Sequence, residues 1–244
     1  MNNKIFIFLI ALIVILFLGF VILGDNQDAP TVSQRSDNTY GVSPQNIVLE
    51  EAYSLGCPAC AQHHPVLKPL RQEFQDKIIF QPVHFPLTAS FRNALAAHRA
   101  VEAARQQSLD LFWALHDKLF EEREAWVNLD DPIDQIRVFA EEAGVDLEQF
   151  DVDFKSSKIN DIINNDIKYV ESLGITGTPT FILDGQVLEE ADDEAFSRIE
   201  TAREFINQYL ENLETASAAE DNEADIETSS PSSEEVESDN AETQ

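Results

Sequence analysis

The residues best suited to chemistry are Cys57 and Cys60, the only cysteines in the chain, set at C-x-x-C spacing in Ser54-Leu55-Gly56-Cys57-Pro58-Ala59-Cys60-Ala61-Gln62-His63-His64. The apolar run Ile47-Val48-Leu49 precedes them, and a segment that reads as helix follows. A cysteine at a helix start faces unpaired backbone N–H groups and the positive end of the helix dipole. Both favour the thiolate, which is the form that attacks a disulfide. Pro58 suits the first helical turn, where its missing N–H costs nothing. Cys60 follows one turn later, near enough to close a disulfide with Cys57. The pattern is that of a redox switch.

Two plainer uses stand beside it. A C-x-x-C pair can be half of a zinc site. With no second pair in the chain, only a Cys2His2 site is open, drawing on His63, His64, His84, His98 or His116. His63 and His64 lie one turn beyond Cys60, without the loop usual in zinc fingers. A purely structural disulfide is the other use, but so short a loop restricts the unfolded chain little and stabilises weakly. The redox reading is favoured over both.

The elements that must position the pair can be read in order. Residues 46–53 form a strand that enters the C-x-x-C loop. A helix from Pro58 carries Leu67, Leu70 and Phe74 on one face, and Pro65 and Pro69 are expected to kink or split it. Residues 78–85 read as a second buried strand, parallel to the first through a crossover. A helical block follows. Phe91 to Gln107 places Leu95, His98, Val101 and Ala104 on one face, and Ser108 can cap a helix carrying Leu111, Phe112, Leu115, Leu119 and Phe120. Pro132 opens another helix that Gly144 ends, and Gly174 ends the last of the block. Trp113 and Trp126 are expected in core packing. Strands return at residues 175–183, where Asp184-Gly185 signals a type I′ hairpin into Gln186-Val187-Leu188. Residues 192–213 form a closing amphipathic helix.

Composition bounds the rest. The chain has 244 residues and a formal charge of −29, which argues against nucleic acid or an anionic membrane surface as a partner. Residues 214–244 hold 11 acidic residues and no Lys or Arg, and residues 38–213 hold 31 acidic against 14 basic. At the other end, Ile5 to Leu23 is a run of 19 residues, apolar but for Gly19, long enough to cross a membrane as a helix. It ends in Gly24-Asp25-Asn26 without an A-x-A-like cleavage site, so a retained anchor is favoured over a cleaved signal peptide. Lys4 before it, and Asp25 and Asp28 after it, put the N-terminus in the cytoplasm and the rest outside. The expected organisation is therefore an anchor over 1–24, a flexible linker over 25–43, one domain over 44–213 and a disordered acidic tail over 214–244.

The order β-α-β, helical block, β-hairpin, helix is a thioredoxin fold of the α/β class with a helical insertion at about 88–173 between its βαβ and ββα halves, preceded by one transmembrane helix. The sequence resembles the DsbA-like thiol–disulfide oxidoreductases, in their membrane-anchored or secreted bacterial branch. Three stretches carry the resemblance: Cys57-Pro58-Ala59-Cys60; Phe85-Pro86-Leu87 leading into Asn93-Ala94-Leu95-Ala96-Ala97; and Gly177-Thr178-Pro179-Thr180-Phe181 ahead of Asp184-Gly185. Phe112-Trp113-Ala114-Leu115-His116-Asp117-Lys118-Leu119-Phe120 also looks like the family's helical insert.

The resemblance implies roles residue by residue. Pro179 should be a cis-proline beside the redox pair, with Thr178 exposing its backbone to a substrate strand and Pro58 and Ala59 also meeting substrate. Cys57 should be the nucleophile and Cys60 the buried resolving thiol. Glu51 stands where relatives have a buried acid that moves protons to and from such a thiol. Glu50 competes for that place, and since a strand sends neighbours to opposite faces, one of the two should be solvated. His63 and His64 are expected on the helix surface, and His84 in strand-end packing. The implied activity is extracytoplasmic thiol–disulfide exchange without a cofactor. A monomer would donate the Cys57–Cys60 disulfide to exported proteins bearing cysteine thiols, and a membrane redox partner would recycle the pair. Ala59 offers no charge or hydrogen bond to a thiolate, which points to intermediate oxidising strength. A reductase, an isomerase, a Cys/His metal module and a non-catalytic scaffold remain open.

Overall fold

A computed structural model describes residues 34–189 and 194–228. The apolar run of residues 5–23 and most of the acidic tail lie outside the described residues. Among those described, no helix is long and apolar enough to cross a membrane.

The core is a four-stranded sheet in the order β2-β1-β3-β4. Strand β1 (Val48–Tyr53) pairs parallel with β2 (Ile79–His84) and antiparallel with β3 (Thr180–Leu183), which pairs antiparallel with β4 (Gln186–Val187). Asp184 and Gly185 have φ of 48° and 78°, so both central hairpin residues take the positive φ that a type I′ turn requires. The parallel pair encloses α1 (Pro58–Glu73). Pro65 and Pro69 lie inside α1 without splitting it. Its buried face (Cys60, His64, Leu67, Leu70 and Arg71) is held by the fold, and that packing outweighs the two missing N–H groups.

The insertion consists of α2 (Ala94–Arg105), α3 (Leu109–Glu121), α4 (Arg123–Trp126), α5 (Ile133–Glu142), α6 (Leu147–Asp153) and α7 (Ser157–Ser172). Ser108 caps α3 by accepting from the Leu111 N–H, as its sequence position predicts. Trp126 is fully buried and Trp113 nearly so, both in the core of this block. After a 3₁₀ turn at Glu194–Ser197, the last helix, α8 (Ile199–Thr228), packs Ala202, Ile206 and Leu210 against the sheet with Phe181 and Phe196. Phe181 and Phe196 stack with ring centres 4.3 Å apart. Helix α8 runs on through residues 214–228, so the tail departs from the expected disorder there.

The linker expectation also needs correcting. Arg35, Ser36 and Asn38 are buried, and Tyr40 exchanges backbone hydrogen bonds with Phe80, extending the sheet beyond β2. The physical reason is charge. Arg35 pairs with Glu50 at 2.5 Å, while the Ser36 N–H and hydroxyl donate to the buried Asp166. Residues 35–40 are thus part of the domain, supplying a cation and further donors to the buried carboxylates of Glu50 and Asp166.

Candidate active site

Strand β1 ends at Tyr53, and Ser54-Leu55-Gly56 turns the chain into α1 through a Cys57 N–H to Ser54 carbonyl bond of 2.9 Å. Gly56 has no room for a side chain, since a Cβ there would lie 2.6 Å from the Cβ of Phe91. Cys57 is the N-cap of α1 and Pro58 occupies its first turn, as the spacing predicts. The Thr178–Pro179 peptide bond is cis, and Cys57 Sγ lies 3.3 Å from the Thr178 carbonyl oxygen, to which its thiol donates. Two stretches about 120 residues apart in sequence meet at one sulfur.

Both cysteines are free thiols in this structure, with Cys57 5% and Cys60 1% exposed. Their acidities are driven apart. Cys57 is pulled down to about 5, foremost by the hydrogen bond it receives from Cys60, then by Thr178 and the backbone N–H groups of Cys60 and Ala59; burial works against these. The Thr178 hydroxyl is buried and without another partner, so it is free to donate to a thiolate. Burial pushes Cys60 well up, reinforced by its bond to Cys57 and by the charge of Glu51. One sulfur is thus a ready nucleophile, and the other stays protonated until a base takes its proton. Titrating the thiolate absorbance of the reduced chain is expected to show one midpoint near 5; a single midpoint in the ordinary thiol range would contradict this arrangement.

Glu51 and Glu50 leave β1 on opposite faces; Glu50 is buried and Glu51 half-buried, so neither is the fully solvated carboxylate expected. Glu50 is buried between Arg35 and the Tyr169 hydroxyl, 2.5 and 2.6 Å away. Glu51 faces a cavity of about 30 Å³ shared with Cys60, His64, Arg71, His116 and Phe181. That is room for about two waters. Burial pushes Glu51 up to about 8, with Arg71 opposing and Cys57 adding to the rise. A carboxyl that titrates near neutrality beside Cys60 can exchange protons with it.

His64 is buried rather than on the surface, and His63 is half-buried, stacked on Phe181. His64 and His116 contact Asp117 at 3.0 and 3.2 Å, and Arg71 donates two bonds of 2.9 Å to the same carboxylate. Although burial opposes it, these partners hold Asp117 well below the usual carboxylate range, while burial lowers His116 to about 4. His64, His116 and Asp117 bring three potential metal ligands within 4.8 Å of one another. Arg71 and Lys68 already pair with that carboxylate, which disfavours a further cation. Among the described residues, no such cluster includes a cysteine. The pairing of Arg71 with Asp117 is not visible in the sequence, where its only signal is a charge on an otherwise apolar face of each helix.

A family model described as thioredoxin matches residues 36–200. Its start agrees with the packing of residues 35–40 onto the domain. A probable disulfide bond formation protein D from Bacillus cereus is 26% identical over 185 residues, covering 72% of this chain and 84% of that protein. A Na(+)/H(+) antiporter NhaA 1 from Mycolicibacterium vanbaalenii is 31% identical over 153 residues, 61% of this chain but only 23% of the antiporter. The chain therefore spans under a quarter of that relative's length. The crystal structure of oxidised BdbD from Bacillus subtilis shares the fold with a TM-score of 0.59 at 18% identity, covering 75% of this chain and 96% of that one. With its cysteine pair at the start of α1 and Thr178–Pro179 against it, the chain belongs to the thioredoxin family.

Proposed function

We propose that the chain is a membrane-anchored, extracytoplasmic dithiol oxidase that donates a Cys57–Cys60 disulfide to exported proteins. The observation that carries the direction is the setting of Cys57, at the N-cap of α1 against Thr178 and beside Cys60, which pulls its thiol down to about 5. A stabilised thiolate stabilises the reduced enzyme, which makes the disulfide the better oxidant. The comparable thiol titrates at about 7 in thioredoxin and about 3.5 in DsbA. Cys57 falls between them, in keeping with the intermediate strength expected from Pro58-Ala59.

In this reading a substrate thiolate attacks Cys57 Sγ of the oxidised pair, and Cys60 leaves as a thiolate that takes a proton from Glu51. The Cys57–substrate mixed disulfide is then broken by a second substrate thiolate. It attacks the substrate sulfur, and Cys57 departs as its stabilised thiolate. Two electrons pass from two substrate thiols to the enzyme. The backbone at Thr178, with Pro58 and Ala59, meets the substrate chain. The anchor is the apolar run of residues 5–23, and a membrane redox partner reoxidises the dithiol. No cofactor enters these steps.

The test is disulfide transfer. Oxidised full-length chain in detergent is mixed without air with a reduced, unfolded protein containing two cysteines. The proposal expects one disulfide to appear in the substrate per enzyme reduced. If the enzyme instead stays oxidised, and its dithiol form opens disulfides in the same substrate, the direction is that of a reductase.

A further inference from the structure

The three-residue connector ahead of Cys57 is gripped by side chains of the helical insertion. The Leu55 N–H donates to His98 Nε2 of α2 over 3.1 Å. The Gly56 carbonyl accepts from Arg123 Nε and Nη2 at 3.1 and 2.6 Å. Behind His98 runs a buried chain of contacts. His98 Nδ1 lies 2.7 Å from His84 Nδ1, His84 Nε2 lies 2.7 Å from Glu102 Oε1, and Asn38 Nδ2 donates to the same oxygen over 2.5 Å. His84, His98, Glu102 and Asn38 are all at most 1% exposed.

The proton positions in this chain follow from one fixed donor. A backbone N–H can only donate, so His98 Nε2 carries a lone pair. A neutral imidazole then holds its proton on Nδ1 and gives it to His84 Nδ1. His84, accepting there, donates from Nε2 to the Glu102 carboxylate. Two other groups face the pair. The Tyr53 hydroxyl lies 3.1 Å from His84 Nδ1, and Asp166 accepts from the His84 backbone N–H at 3.0 Å. Burial, then the nearby His84 and His116, hold His98 well below its ordinary pKa and so uncharged.

We propose that His98, locked as an Nε2 acceptor by His84 and Glu102, is a positioning residue for Cys57. Leu55 lies two residues before the sulfur, and holding its N–H fixes the turn that delivers Cys57 to the Ala59 and Cys60 N–H groups and to Thr178. The insertion thereby sets the reactivity of a cysteine it does not carry. The proposal rests on Cys57 being the attacking thiol.

Three variants of the full chain test it. His98→Leu removes the acceptor; His98→Gln keeps one, since its amide oxygen falls near the place of Nε2; Glu102→Gln releases the tautomer lock. His98→Leu is expected to raise the Cys57 thiolate midpoint by about one unit, which cuts its thiolate fraction at pH 5 about fivefold. His98→Gln should stay near wild type, and Glu102→Gln should move the midpoint the same way by less. A lower melting temperature in His98→Leu with an unchanged midpoint overturns the proposal. Should that variant not fold, nitrogen NMR of the wild-type histidines decides: a proton on His98 Nδ1 supports the proposal, and one on Nε2 overturns it. A wild-type midpoint in the ordinary thiol range would instead sink the reading of Cys57, and the proposal with it.

Discussion

Cys60→Ala is expected to abolish catalytic turnover while leaving Cys57 able to attack, so that a covalent enzyme–substrate complex accumulates. Two effects act together. No neighbouring thiol remains to open the Cys57 mixed disulfide from within the enzyme. The hydrogen bond that most lowers the Cys57 pKa is also lost, so its titration should move from about 5 toward the free-thiol value of about 8.5. Cys60 is 1% exposed, so the Cβ-only replacement leaves a small void and the fold should persist. Mass spectrometry after mixing with a substrate disulfide would show the adduct, and ultraviolet titration the shifted midpoint. An enzyme that still turned over without Cys60 would remove the dithiol mechanism altogether.

Glu51→Gln is expected to make the reduced protein more stable at neutral pH and slower in catalysis. The direction follows from linkage. Glu51 is raised from 4.5 to about 8 on folding, so its contribution to stability is fully present below its unfolded pKa and is lost as pH rises through the folded one. Between these values the unfolded chain is ionised while the folded carboxyl keeps its proton. At neutral pH the resulting cost to the wild type is on the order of 3 kcal/mol. The amide has the same shape and no such dependence. Relative to the variant, wild-type stability should therefore fall between about pH 5 and 8, offsetting in the wild type alone the gain that both reduced proteins draw from the lowered Cys57 over the same range. Loss of a proton carrier beside Cys60 should slow the steps that protonate or deprotonate it on the order of 10²-fold. Denaturant melts across this pH window and single-turnover kinetics measure both. Parallel stability curves for the two proteins would mean that Glu51 is ionised in the fold like any surface carboxylate.

The parts of this site that could be read from sequence are those with strong local signatures. Cys57-Pro58-Ala59-Cys60 at a strand-to-helix junction, Asp184-Gly185 between apolar runs and Ser108 ahead of a helical period each dictate local backbone with little help from elsewhere. Thr178-Pro179 became legible only through resemblance, because nothing in its own neighbours links it to Cys57. What could not be read was set by partners distant in sequence. Arg35 looks like part of a polar tether until Glu50 and Asp166 are seen to need a cation and donors. Glu50 and Glu51 are indistinguishable by type, and only the sheet's two covered faces explain why Glu50 is buried and Glu51 largely shielded. His84, His98 and Glu102 lie in three unremarkable places of two elements, and their relay exists only after α2 packs against the end of β2. Pro65 and Pro69 mislead in the opposite sense, since local rules favour a broken helix that the buried face of α1 holds together.

The most direct test of the account is the redox equilibrium of the full-length chain in detergent against glutathione, read by thiol trapping. Thioredoxin stands at about −270 mV and DsbA at about −120 mV. With Cys57 acidified to a degree between theirs, the predicted potential is on the order of −200 mV. A value at or below that of thioredoxin would contradict a disulfide donor, and failure to form any Cys57–Cys60 disulfide would contradict the redox site itself.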